Sequence, residues 1–156
     1  MSGLARLRRG LVPALVALLA LLCATSAVAA TRKSHKVNAT ITAAPLTAAN
    51  GVTTVTGIVT GKPFPGEGAV VYRVKTGATG TITANVTVFT RNGIVKGSTV
   101  ATVTPGANNT STLTGTAKVA SGTGNFAGAT GKDLKVTGTI DADGVLHVNV
   151  TGSIKY

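Results

Sequence analysis

Cysteine, tryptophan and acidic residues are nearly missing from this 156-residue chain. Cys23 is the only cysteine, there is no Trp, and Asp and Glu together number 4. A single thiol forms neither an internal disulfide nor a multi-cysteine metal site. The acids are Glu67, Asp133, Asp141 and Asp143, and the histidines are His35 and His147. So few carboxylates, with two histidines far apart, give no metal-ligand spacing, and no cofactor is expected. Aromatics make up only 3%. They show no base-stacking pattern and accompany no basic helix, which excludes a nucleic-acid reader. Charged residues are 12% against 44% hydrophobic, so this is not the polar, highly charged composition of a disordered chain.

What is present is Thr, Val, Ala and Gly. The β-branched residues suit a pleated strand surface and Gly suits turns and bulges. No stretch beyond residue 30 repeats with the 3.6-residue period of a helix.

The N-terminus reads as an export signal of the bacterial type. Arg6, Arg8 and Arg9 precede an apolar run from Leu11 to Ala24, and Ala27-Val28-Ala29 supplies small residues for cleavage after Ala29 or Ala30. The run falls short of the roughly 18 or more apolar residues that a spanning helix requires, which argues against a retained anchor. Cleavage and lipidation at Cys23 is the other route, but Leu22 stands where that signal wants a small residue. The organisation read is therefore a signal peptide over 1–30, a basic flexible tail over 31–36 and one folded domain over 37–156. The expected destination is extracellular, with membrane contact only through the signal peptide. Loss of the three leader arginines takes the net charge from +11 to +8. A basic surface of this kind is attracted to acidic polymers or anionic surfaces.

From Val37 onward, apolar and polar residues alternate. Val37, Ala39, Ile41 and Ala43 form a first run, expected to break at Pro45. Further runs cover Val52–Thr60, Ala69–Lys75, Thr81–Phe89, Ile94–Thr104, Leu113–Val119, Leu134–Ile140 and Leu146–Ile154. Asn92-Gly93 is a strong hairpin signal, and Asp141-Ala142-Asp143-Gly144 is a second turn. About eight strands with short connections predict an all-β fold, a single antiparallel eight-stranded barrel, with a two-sheet sandwich as the alternative. Strands of 8 to 11 residues favour the barrel.

Two stretches carry motifs. Gly122-Thr123-Gly124-Asn125-Phe126-Ala127 fits a dinucleotide fingerprint in letters only, because a strand follows it rather than the helix that would hold a pyrophosphate. No G-x-S-x-G nucleophile turn is present. The longer stretch Val119–Gly131 resembles the GGTG-x-F-x-x-A-x-G signature of the dirigent and allene oxide cyclase-like families, through Gly122, Thr123, Gly124, Phe126 and Gly131. Upstream, Gly93 to Val100, with Gly97, Ser98 and Thr99, resembles the G-x-x-x-G-S-T-L strand of the same families. Order and spacing agree, and the resemblance covers roughly residues 68 to 156. It implies an eight-stranded barrel with an apolar central pocket, and assemblies that are often trimers. The acidic, Arg and Tyr pocket residues of dirigent proteins and the pocket Glu of the cyclases have no clear counterparts, so no catalytic residue is carried over. Asp141 and Asp143 read as turn residues, Glu67 as solvent-facing, and Asp133 stays open.

If the apolar members of each run converge, Tyr72, Val86, Val88, Leu113, Val136 and Val148 line the interior. An eight-stranded barrel either fills its centre with side chains or holds one small ligand, and both outcomes are open here. The functional expectation is a secreted barrel that binds a small apolar molecule. The alternatives are an extracellular structural or adhesive module using its basic Thr-rich surface, and a cyclase or dirigent-like stereocontrol enzyme, which would require a buried polar cluster.

Overall fold

Along most of the chain a side that packs inward alternates with a side that faces water, and the sheet closes on itself. The structure is a computed structural model that describes residues 31–156. Eight strands follow in order: β1 (Ser34–Ala49), β2 (Val52–Lys62), β3 (Gly68–Thr76), β4 (Thr81–Thr90), β5 (Gly93–Pro105), β6 (Ser111–Gly122), β7 (Gly131–Ile140) and β8 (Leu146–Lys155). Each pairs antiparallel with its sequence neighbour, and β1 also pairs with β8, giving a closed barrel. The sandwich alternative is thereby set aside.

In β1, Val37, Ala39, Ile41 and Ala43 are buried while Asn38, Thr40 and Thr42 are exposed. The other strands add Val59, Val70, Val88, Leu134, Val136, Val148 and Ile154 to the same apolar core. A hairpin joins β4 to β5 where the Asn92-Gly93 signal predicts one, with Arg91 and Asn92 as its loop and Gly93 already paired with Thr90. The turn after β7 is held by Asp141, whose Oδ1 accepts the backbone N–H groups of Asp143 (3.1 Å) and Val145 (2.8 Å).

Two features of β1 differ from the sequence reading. Its first residues lie in the segment read as a flexible tail: Ser34, His35 and Lys36 pair with Lys155, Ile154 and Ser153. Pro45 does not end the strand either, since β1 continues to Ala49 with a register shift between Pro45 and Thr47. Pairing with β8 stops at Ala43, so from Pro45 onward β1 has a partner on one side only. A residue lacking an N–H is tolerated at such an edge or bulge.

Small residues let neighbouring strands approach closely. Gly57 lies opposite Ala43, and a Cβ at position 57 would sit 2.5 Å from the Ala43 Cα. Register shifts between Lys96 and Gly97 on β5 and between Ala117 and Val119 on β6 bend the sheet further.

Candidate functional site

The two ends of the barrel differ in chemistry. At the first, the connections β2–β3, β4–β5 and β6–β7 meet, and aromatic rings close the opening. Phe126, in a 3-10 turn over Gly124–Phe126, is 2% exposed. It packs edge to face on Phe64 and Tyr156, with ring centroids 5.8 and 5.1 Å away. The glycine-rich motif builds this closure. Gly124 takes a φ of +60°, and a Cβ there would run into the Asn92 carbonyl. The Asn125 N–H donates to that carbonyl (2.8 Å), and Thr123 exchanges N–H···O (2.9 Å) and N–H···Oγ1 (3.1 Å) bonds with Ile94. Gly122 ends β6 and Gly131 opens β7. Here the motif residues tie the β6–β7 connection to the Asn92-Gly93 turn.

The opposite end carries the β1–β2, β3–β4, β5–β6 and β7–β8 connections and stays open. A funnel of about 620 Å³ enters there, lined by Val55, Val74, Ile82, Val103, Leu113, Ile140 and Leu146, with Pro45 and Pro105 at the rim. No charged side chain lines it. Ligand sites fall at about 300–1,000 Å³ and are mostly apolar with a few polar groups, so the funnel has the size and character of one.

Deeper inside, the space is small. A cavity of about 80 Å³ lies among Ile41, Val59, Tyr72, Val86, Val88, Val95 and Leu134, well below the range for a drug-sized ligand. The Tyr72 hydroxyl is its notable polar group. It makes no side-chain hydrogen bond among the described residues, and burial raises its pKa above the usual phenol value because the ionised form would be desolvated. Among the described residues, no charged side chain is buried in the core.

The residues proposed from sequence as pocket walls therefore divide. Tyr72, Val86 and Val88 line the inner cavity, and Leu113 lines the funnel. Val136 and Val148 are buried in the core but border neither space. Gly97, Ser98 and Thr99 lie on β5 and touch the inner cavity. The funnel residues Val74, Ile82, Val103 and Leu146 were legible as inward-facing, but nothing in their spacing marked which barrel end would stay open. Glu67 and Asp133 are both exposed, Asp133 with a φ of 55°. His147 is exposed on the outer face, with its Nε2 3.8 Å from the Asp141 carboxylate.

The outer surface also carries a depression. Over β2–β5, beside the β1–β2 hairpin, a groove of about 700 Å³ is lined by Thr54, Arg73, Lys75, Asn85, Ser98 and Val100 among others, with Thr47, Ala49 and Asn50 of the hairpin. The remaining lysines and arginines beyond residue 31 sit in the half of the barrel nearer the aromatic plug. Compared with protein-family models, curated proteins and solved structures, the chain matches none.

Proposed function

We propose that the domain is an exported carrier or receptor for a small apolar molecule, which it takes up through the open end of the barrel. One observation carries this reading: a funnel of about 620 Å³ walled by aliphatic strand ends, at the one barrel end that no aromatic plug closes. Removing apolar surface from water would supply the affinity, at roughly 25 cal/mol per Å² before the costs of association. The Tyr72 hydroxyl, one layer deeper, offers a polar atom to a ligand that reaches it. Export rests on the leader read from residues 1–30, which lie outside the described residues. The resemblance to dirigent and allene oxide cyclase-like proteins agrees with the barrel and adds no catalytic group.

The test is titration with a neutral apolar fluorescent dye such as N-phenyl-1-naphthylamine, followed by Ile82→Arg and Val103→Arg, which place cations in the funnel. Saturable binding at about one site per chain, weakened about tenfold or more in both variants while the fold persists, supports the reading. A folded protein that takes up no dye, or variants that bind as well as the parent, would sink it.

A further inference from the structure

The groove over β2–β5 has a wall chemistry that the funnel lacks. Cross-strand register places Thr54, Arg73, Asn85 and Ser98 in one row on the outer face. The next row toward the open end begins with Lys75, Thr83 and Val100. The first row crosses three strand spacings, about 14 Å. Arg73 and Lys75 are exposed and form no ion pair among the described residues. The side chains of Thr54, Asn85 and Ser98 likewise make no hydrogen bond there, and no carboxylate lines the groove. The result is a concave surface with two cations, several free hydroxyl and amide groups, and an apolar edge. Val100, 52% exposed, supplies part of that edge.

These features select among anions. An inorganic anion would use the cations and leave the hydroxyl row and Val100 without a role. A lipid surface is broad and flat and would meet a concave groove only at its rim. A sugar acid matches all three elements: its carboxylate pairs with a guanidinium in a two-point fork, its hydroxyls meet Thr, Ser and Asn, and its C–H face lies on Val100. The row is long enough for several linked rings. We propose that this groove binds an acidic oligosaccharide built of uronate units, with Arg73 holding a carboxylate and Lys75 adding a second positive charge. This site is separate from the funnel and does not depend on its ligand.

The experiment is calorimetric titration with oligogalacturonate and oligomannuronate at low and moderate salt, with the fully methyl-esterified oligogalacturonate as the uncharged control. The uronates are expected to bind, more weakly as salt rises, and the ester is not. Arg73→Gln should weaken binding about tenfold or more, as loss of a charge-assisted pair does, and Arg73→Lys less. Lys36→Gln with Lys155→Gln, far from the groove, should leave it unchanged. All substituted side chains are exposed, so unchanged thermal unfolding verifies that the variants fold. The proposal is overturned if neither uronate binds, if the ester binds equally, if Arg73→Gln binds like the parent, or if polyacrylate or anionic phospholipid vesicles bind as tightly at equal charge. Dye uptake by the funnel should be the same in every variant of this series.

Discussion

Phe126 meets Tyr156 edge to face, with centroids 5.1 Å apart and ring planes at 66°, and this contact fastens the segment after β8 to the β6–β7 connection. Phe126 is among the largest fully buried side chains of the domain. Its ring also touches Phe64, so three separate segments of the chain depend on it. Truncation would open a cavity that the surrounding backbone fills only in part. Phe126→Ala is expected to lose about 3–5 kcal/mol of stability, read as a lower urea midpoint with little change in the denaturant slope. A midpoint within experimental error of the parent would show that the plug is not structural.

Gly57 tests the close approach of β1 and β2. Its backbone is extended, so conformational strain does not demand glycine there. The demand comes from the β1 backbone: an added Cβ would run into the Thr42 carbonyl and lie 2.5 Å from both the Cα and the Cβ of Ala43. Gly57→Ala should therefore cost about 1–3 kcal/mol through overpacking, although alanine is otherwise the better residue in a strand. The double variant Gly57→Ala with Ala43→Gly removes the Ala43 Cβ but leaves the Thr42 carbonyl and the Ala43 Cα in place, so it should not restore the parent's stability, and thermal unfolding of the three proteins measures this. Recovery to the parent midpoint would mean that the Ala43 side chain, and not the β1 backbone, sets the demand for glycine.

Tyr72 should make stability fall at alkaline pH. Burial in the apolar interior raises its pKa, so the folded chain favours the neutral phenol. Below about pH 10, the ordinary phenol value, the group is protonated in both folded and unfolded chains and its preference is fully present. Above that pH the unfolded chain releases the proton first. Stability then drops by up to about 1.4 kcal/mol per pH unit as the pH climbs toward the folded-state value. Desolvation raises Tyr156 in the same direction, which leaves a weaker fall in its own right. Unfolding midpoints followed from neutral to alkaline pH should decline less steeply in Tyr72→Phe than in the parent. Parallel declines would place the Tyr72 hydroxyl in water.

Alternation fixed which residues face inward, and the Asn92-Gly93 and Asp141 turns fixed two hairpins. These were legible because they depend on neighbours within a few positions. The size of the interior was not. Ala and Gly on an inward face suggest leftover space, yet the β1–β2 register sets Gly57 beside Ala43, and small residues there let neighbouring strands approach instead of leaving a void. The groove was hidden for a related reason. Parity puts Arg73 and Asn85 outside, but only register places them in one row with Thr54 and Ser98. The tail reading failed because Ser34, His35 and Lys36 are polar, and their strand state comes from pairing with β8, more than a hundred residues away.

That pairing gives a prediction about trimming. Lys33 exchanges two backbone hydrogen bonds with Tyr156, at 3.0 and 3.2 Å. The His35 ring stacks on the Tyr156 ring with centroids 4.0 Å apart. A protein starting at Thr31, where cleavage after Ala30 would leave it, retains all eight strands. A protein starting at Val37 loses the pairing of Ser34–Lys36, the Lys33 bonds and the His35 stack, and leaves the end of β8 open beside Ile154, which is 1% exposed. At about 0.5–1.5 kcal/mol for each hydrogen bond lost, the shorter protein should be about 2–4 kcal/mol less stable. Urea unfolding of the two proteins side by side, with amide exchange at Lys155 and Tyr156 as a local readout, measures the difference. Equal midpoints and equal protection would mean that these residues behave in solution as the tail their composition suggests.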